Sequence, residues 1–143
     1  MFTPTRDEAR QFFFDTWARH RRGEALEGLQ RTALAIVLMH PEYEPWLDHP
    51  ERYLRRDFPP EAGDPNPFLH LALHLAVAEQ LSIDQPPGIA RRYRRLLQRT
   101  SSEHDALHAL LECLAETIWQ AQRSAEPPDM QVYLGCLDRR VEE

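Results

Sequence analysis

Asn66-Pro67-Phe68-Leu69-His70-Leu71-Ala72-Leu73-His74-Leu75-Ala76-Val77-Ala78-Glu79-Gln80-Leu81 is the stretch on which the fold turns. The asparagine side chain can accept from the free amides of a helix start, and proline at the first helical position gives up an N–H that would go unused there. Leucines at 69, 71, 73 and 75 then point to every side of a helix, and only Glu79 and Gln80 are strongly polar apart from the histidines. A helix that is apolar nearly all round belongs in a core. The spacing therefore predicts a central helix over 67–81.

Helical patterns continue toward the C-terminus. Ser82-Ile83-Asp84-Gln85-Pro86-Pro87-Gly88 reads as a turn, after which Ile89, Tyr93, Leu96 and Leu97 line one face of a shorter helix and Arg91, Arg92, Arg95 and Arg99 the other. Ser101 or Ser102 caps a long helix to about Arg123, and Pro127-Pro128-Asp129 opens a last one with Met130, Tyr133, Leu134, Leu137 and Val141 inward. On the N-terminal side, Thr5-Arg6-Asp7-Glu8 forms a capping box ahead of Ala9, Phe12, Phe13 and Trp17, in a helix ending near Gly23. A second amphipathic helix runs from Ala25 through Leu29, Ala33, Ile36 and Val37 and stops at Pro41. Residues 43–66 are an irregular, proline-rich segment with one or two short helical turns around Trp46 and Tyr53, then an extended loop over 57–64. The expectation is an all-α, single-domain bundle of five or six helices over residues 1–143, with 68–81 and 102–123 at its centre.

A chain of 143 residues with 42% hydrophobic and 28% charged residues is long and apolar enough to bury its own core. Against 23 acidic residues stand 17 basic ones, all arginine, and the formal charge of -6 argues against broad affinity for nucleic acid or anionic lipid. The N-terminus is charged almost at once and no long uncharged apolar run follows, so neither a signal peptide nor a membrane span is expected, and the expected location is cytoplasmic. Cys113 and Cys136 lack paired C-x-x-C spacing and are expected as buried thiols.

Chemistry points to the histidines. Two pairs occur at i and i+4, His70 with His74 and His104 with His108, so each pair shares a helix face. His70 and His74 share their stripe with Val77 and Leu81 and point inward. His104 and His108 flank the apolar seam Leu107, Leu111, Leu114 and Ile118, and Glu112 continues their row as His-x-x-x-His-x-x-x-Glu. Helical bundles build metal sites from such inward side chains, and imidazole suits a divalent zinc, iron or manganese ion. His70, His74 and His108 are the first-choice ligands, with His104 and Glu112 as candidates for a fourth. A catalytic version would use a metal-activated water, with Glu112, Glu116 or Glu42 as base. Beside this stands a metal-free reading, in which buried imidazoles bond to carbonyls and carboxylates and merely hold the core. His40, at a helix C-terminus, reads as a cation favoured by the dipole.

Named motifs narrow the field. His70-Leu71-Ala72-Leu73-His74 lacks the glutamate a helical zinc protease needs, and no Glu-x-x-His tetrapeptide of a di-iron bundle occurs. His104-Asp105 sits at a polar helix start, unlike the dipeptide of metal-dependent phosphohydrolases. There is no Gly-x-Ser-x-Gly elbow, and 5 scattered glycines make no phosphate loop. The arginines at 91–99 could meet phosphates, but such a face is more often solvated and paired with carboxylates.

The stretch 66–74, with Glu79-Gln80-Leu81-Ser82-Ile83-Asp84-Gln85-Pro86-Pro87-Gly88-Ile89, resembles the signature of a family of small bacterial proteins known only as a domain of unknown function. Phe12-Phe13-Phe14-Asp15-Thr16-Trp17, His40-Pro41-Glu42-Tyr43 and residues 112–123 fit the same pattern, so the resemblance spans the chain. It implies no activity, substrate, cofactor or partner, and no residue's role carries over. Two functions remain open on the residues alone. One is a metal-binding protein with a site between two helices. The other is a non-enzymatic interaction or structural module, with a buried His/Glu network and the aromatic segment from Tyr43 to Phe68 as partner surface.

Overall fold

A computed structural model of the chain describes residues 5–58 and 66–142. Among these the protein is all-α: α1 (Arg6–Arg21), α2 (Leu29–Leu38), a 3-10 turn (Pro41–Tyr43), α3 (Glu44–Leu47), α4 (Pro50–Tyr53), α5 (Pro67–Ile83), α6 (Ile89–Arg99), α7 (Glu103–Ser124) and α8 (Met130–Glu142). That makes eight α-helices among the described residues, which corrects the expected five or six. The excess lies in α3 and α4, of 4 residues each. Pro41 and Pro50 open the 3-10 turn and α4, and Pro45 stands second in α3. A proline ends what precedes it yet is preorganised to start a helix, so the short helical turns expected around Trp46 and Tyr53 form two separate helices. His40 and His49, each ahead of a proline, are pushed out of the helical region (φ -130° at both). Most of the loop expected over 57–64 lies outside the described residues.

The long helices begin where their caps dictate. Thr5 Oγ1 accepts from the Glu8 amide and the Glu8 carboxylate from the Thr5 amide, both at 3.2 Å, which completes the capping box. The Asn66 side chain accepts from the amides of Phe68 and Leu69 at 3.1 Å and fixes the start of α5. Helix α2 starts at Leu29 rather than Ala25, because Gly28 at its N-cap takes a positive φ of 57°.

The described residues fall into two compact units, one up to Leu75 and one from Ala76. In the first, Phe13, Phe14 and Trp17 of α1 pack with Ala33, Ile36 and Val37 of α2, Leu47 of α3, and Phe68, Leu71 and Leu75 of α5. Tyr43, Trp46, Tyr53 and Phe58 are partly buried against this core, and Phe68 is buried within it. The aromatic rings expected as a partner surface thus cover the unit's own interior. Arg10 is buried on the same stripe as Phe13, Phe14 and Trp17. Its Nη1 donates to the carbonyls of Tyr53, Leu54 and Arg56 at 3.1, 3.2 and 2.6 Å, and its guanidinium lies over the rings of Phe58 and Phe68. One cation therefore answers the free carbonyls at the end of α4. Burial pulls its pKa below the ordinary guanidinium value.

In the second unit, Ile89 and Leu96 of α6, Leu110, Leu111 and Leu114 of α7, and Tyr133, Leu134 and Leu137 of α8 are buried. The Tyr133 hydroxyl donates to Gln80 Oε1 at 2.8 Å, and burial pushes its pKa far up. Cys113 and Cys136 are a disulfide joining α7 to α8, not the free thiols expected. Each cysteine sits alone on its helix, and only packing brings their Cα atoms to 5.7 Å, well within bridging range. No described helix is long and apolar enough to cross a membrane.

Candidate metal centre

The site grows from two local features of the first unit. Helix α2 buries Ala33, Ile36 and Val37, and His40 follows at the next step of that stripe, three residues after Val37. Helix α5 carries His70 and His74 one turn apart. His40 and His74 are 3% and 2% exposed, and His70 is half-buried. The rings form a triangle: His40 and His70 centroids are 4.8 Å apart, His40 and His74 4.7 Å, His70 and His74 4.8 Å. One nitrogen from each ring lies within 4.8 Å of one from each other ring.

Hydrogen bonding fixes part of the proton inventory. His40 Nδ1 is 2.9 Å from the Ile36 carbonyl. A carbonyl only accepts, so Nδ1 carries a proton, and in the neutral ring Nε2 keeps a lone pair. Such a bond to a backbone carbonyl is the usual outer support of a metal-ligating histidine. His70 Nε2 sits 3.1 Å from His40 Nε2. Two nitrogens bound to one tetrahedral zinc at about 2.0–2.1 Å would lie roughly 3.3 Å apart, close to this spacing. The same distance also suits a hydrogen bond from a protonated His70 Nε2 to the His40 lone pair. A single proton on His70 separates the two arrangements.

Tyr43, on the 3-10 turn, walls the cluster. Its ring stacks on His40 at 5.3 Å and 7° and meets His70 edge-on at 5.9 Å. Burial raises its phenol pKa, and the neighbouring Glu42 adds to the shift.

The residues expected from sequence divide as follows. His70 and His74 are brought together as their spacing requires. His40, read as a helix-end cation, is instead the third member of their cluster, and its phase on the α2 stripe is the signal that places it inward. His104 and His108 belong to the second unit, on α7, half-buried with ring centroids 3.9 Å apart. Ser102 caps their helix by accepting from the Asp105 amide at 3.1 Å. The Glu112 carboxylate, on the exposed side of α7, accepts from Arg140 Nη2 at 2.9 Å.

Fold and site together define a class: a small all-helical protein with a buried cluster of imidazoles able to chelate a divalent metal. Within that class the chain belongs to the family described as a domain of unknown function, DUF1841, which matches residues 5–139. No curated protein and no solved structure matches it.

Proposed function

We propose that the protein binds one divalent metal ion through His40, His70 and His74. The convergence of three ring nitrogens, two of them on rings almost wholly buried, is the observation that carries this reading. Imidazole-only donors suit zinc or iron better than manganese, whose sites favour carboxylate and water. A fourth position left to solvent would hold a water of lowered pKa, and only then is hydrolytic chemistry within reach.

Elemental analysis of untagged protein, followed by a zinc-dependent melting series on the metal-free form, tests the proposal. One equivalent of metal and a raised Tm are expected in the wild type, with both lost in His74→Ala. A wild type that purifies without metal, takes up none and melts unchanged would contradict it.

A second reading is favoured by the 3.1 Å approach of His70 to His40. Here His70 donates to His40 and His40 donates to the Ile36 carbonyl, and this chain of bonds ties α5 to the end of α2 without a metal. The protein is then a structural or interaction module. Nitrogen NMR of the imidazoles separates the two readings. A proton on His70 Nε2 in the protein as isolated marks the hydrogen-bonded network, and a proton on Nδ1 marks the metal site.

A further inference from the structure

Helix α6 places Arg91, Arg92, Arg94, Arg95 and Arg99 in 11 residues that contain no acid, on a chain whose formal charge is -6. Like charges at three- and four-residue spacing repel along a helix. Ile89 and Leu96 bury the opposite side, whereas Arg91, Arg94 and Arg95 are exposed. Arg92 turns to a neighbouring helix. It grips Asp138 of α8 in a two-bond fork, with Nε to Oδ1 at 2.7 Å and Nη2 to Oδ2 at 3.2 Å. Asp84 accepts from the amides of Gly88 and Ala90 at 3.3 and 3.0 Å, so the start of α6 already holds a carboxylate. Among the described residues, Arg91, Arg94 and Arg95 make no salt bridge, and they feel Asp84 and Asp138 only through space. Arg91 and Arg94 also border an open hollow of about 610 Å³.

We infer that the exposed side of α6 is a docking face for an acidic segment of a partner protein, with carboxylates spaced to meet Arg91, Arg94 and Arg95. Three features select this partner. The bidentate Arg92–Asp138 pair shows how a guanidinium of α6 takes a carboxylate, and Arg91, Arg94 and Arg95 make no salt bridge among the described residues. Leu97 on α6 is 38% exposed, which offers apolar contact that a protein segment uses and a phosphodiester backbone does not. From Arg91 to Arg95 the helix rises roughly 6 Å, enough for about two carboxylates one turn apart, while the acidic remainder of the chain repels a long polyanion.

Fluorescence anisotropy with the full chain tests the inference, using a labelled helical peptide that bears glutamate at every fourth residue and leucines between. A labelled single-stranded RNA and vesicles containing phosphatidylserine serve as the competing ligand classes. Saturable peptide binding is expected, weakened at least about tenfold in Arg91→Glu/Arg95→Glu and when salt rises from about 0.05 to 0.3 M. Arg91→Lys/Arg95→Lys keeps the charge without the fork, and an intermediate loss is expected. If the glutamate variant melts below wild type, Arg91→Gln/Arg95→Gln takes its place. Absence of saturable peptide binding, equal binding by the charge-reversed protein, or tighter arginine-dependent binding of RNA or vesicles would each overturn the inference.

Discussion

The two units are held together by different physics. In the first, polar groups enter the core and are answered there: Arg10 by three carbonyls, His40 by the Ile36 carbonyl, and Trp17, whose Nε1 donates to Asp48 at 2.7 Å. In the second, a covalent bond joins α7 to α8, and Arg92 pairs with Asp138 at the half-exposed edge. Buried polar networks fail hard when one member is removed, because the abandoned partners stay desolvated. A crosslink acts chiefly on the unfolded chain and leaves the native contacts in place when it is cut. Damage to the first unit should therefore be local and severe, and damage to the second should lower stability while the folded geometry persists.

Arg10→Met removes the most heavily bonded polar group of the first unit. It keeps much of the apolar volume but leaves the carbonyls of Tyr53, Leu54 and Arg56 without their shared donor, and a loss of about 3 kcal/mol is expected. Urea unfolding measures the loss, and hydrogen exchange should place it in α1 and α4. A loss below about 1 kcal/mol would show that the guanidinium is solvated in place. Next in size, the Cys113→Ala/Cys136→Ala protein should lose about 2–4 kcal/mol, with amide protection reduced in α7 and α8 and kept in α1 and α2. Thiol titration of unreduced, denatured wild type should find no free thiol among the two cysteines.

The smallest effect is electrostatic. Hydrogen bonding to Arg92 holds the Asp138 carboxyl below its ordinary pKa. A depressed carboxylate pKa contributes stability above the unfolded value near 4, and that contribution is lost as pH falls through the lower folded value. Asp138 is 48% exposed, so solvent screening limits the contribution to about 0.5 kcal/mol. Asp138→Asn should accordingly destabilise slightly at pH 7 and not at all near pH 2, as read from paired denaturation curves. A difference that persists at low pH would assign the effect to packing.

How much was legible depended on whether the signal was local. Helices α1, α2 and α5 to α8 follow from caps and apolar periodicity, both of which are written within a few turns of chain. Helices α3 and α4 stand where short helical turns were expected around Trp46 and Tyr53 but were left out of the helix count, because Pro45 and Pro50 break and start helices with equal right. His70 and His74 were placed on one inward face by spacing alone. His40 was assigned to the wrong environment, although Ala33, Ile36 and Val37 set a phase that carries it inward. Arg10 shares the stripe of Phe13, Phe14 and Trp17 in the same way, and a charge on an apolar stripe is readable as a buried cation only when its acceptors are known. The Cys113–Cys136 bond was hidden because it depends on how α7 and α8 pack, which neither helix encodes by itself.

The metal-binding proposal requires the imidazoles of His40, His70 and His74 to act as one chelating set. Isothermal titration of zinc into metal-free, untagged protein, run in parallel on wild type and on His40→Gln with circular dichroism to verify folding, tests it most directly. One saturable site is expected in the wild type and none in the folded variant. Equal uptake by both proteins, or none by the wild type, would contradict it.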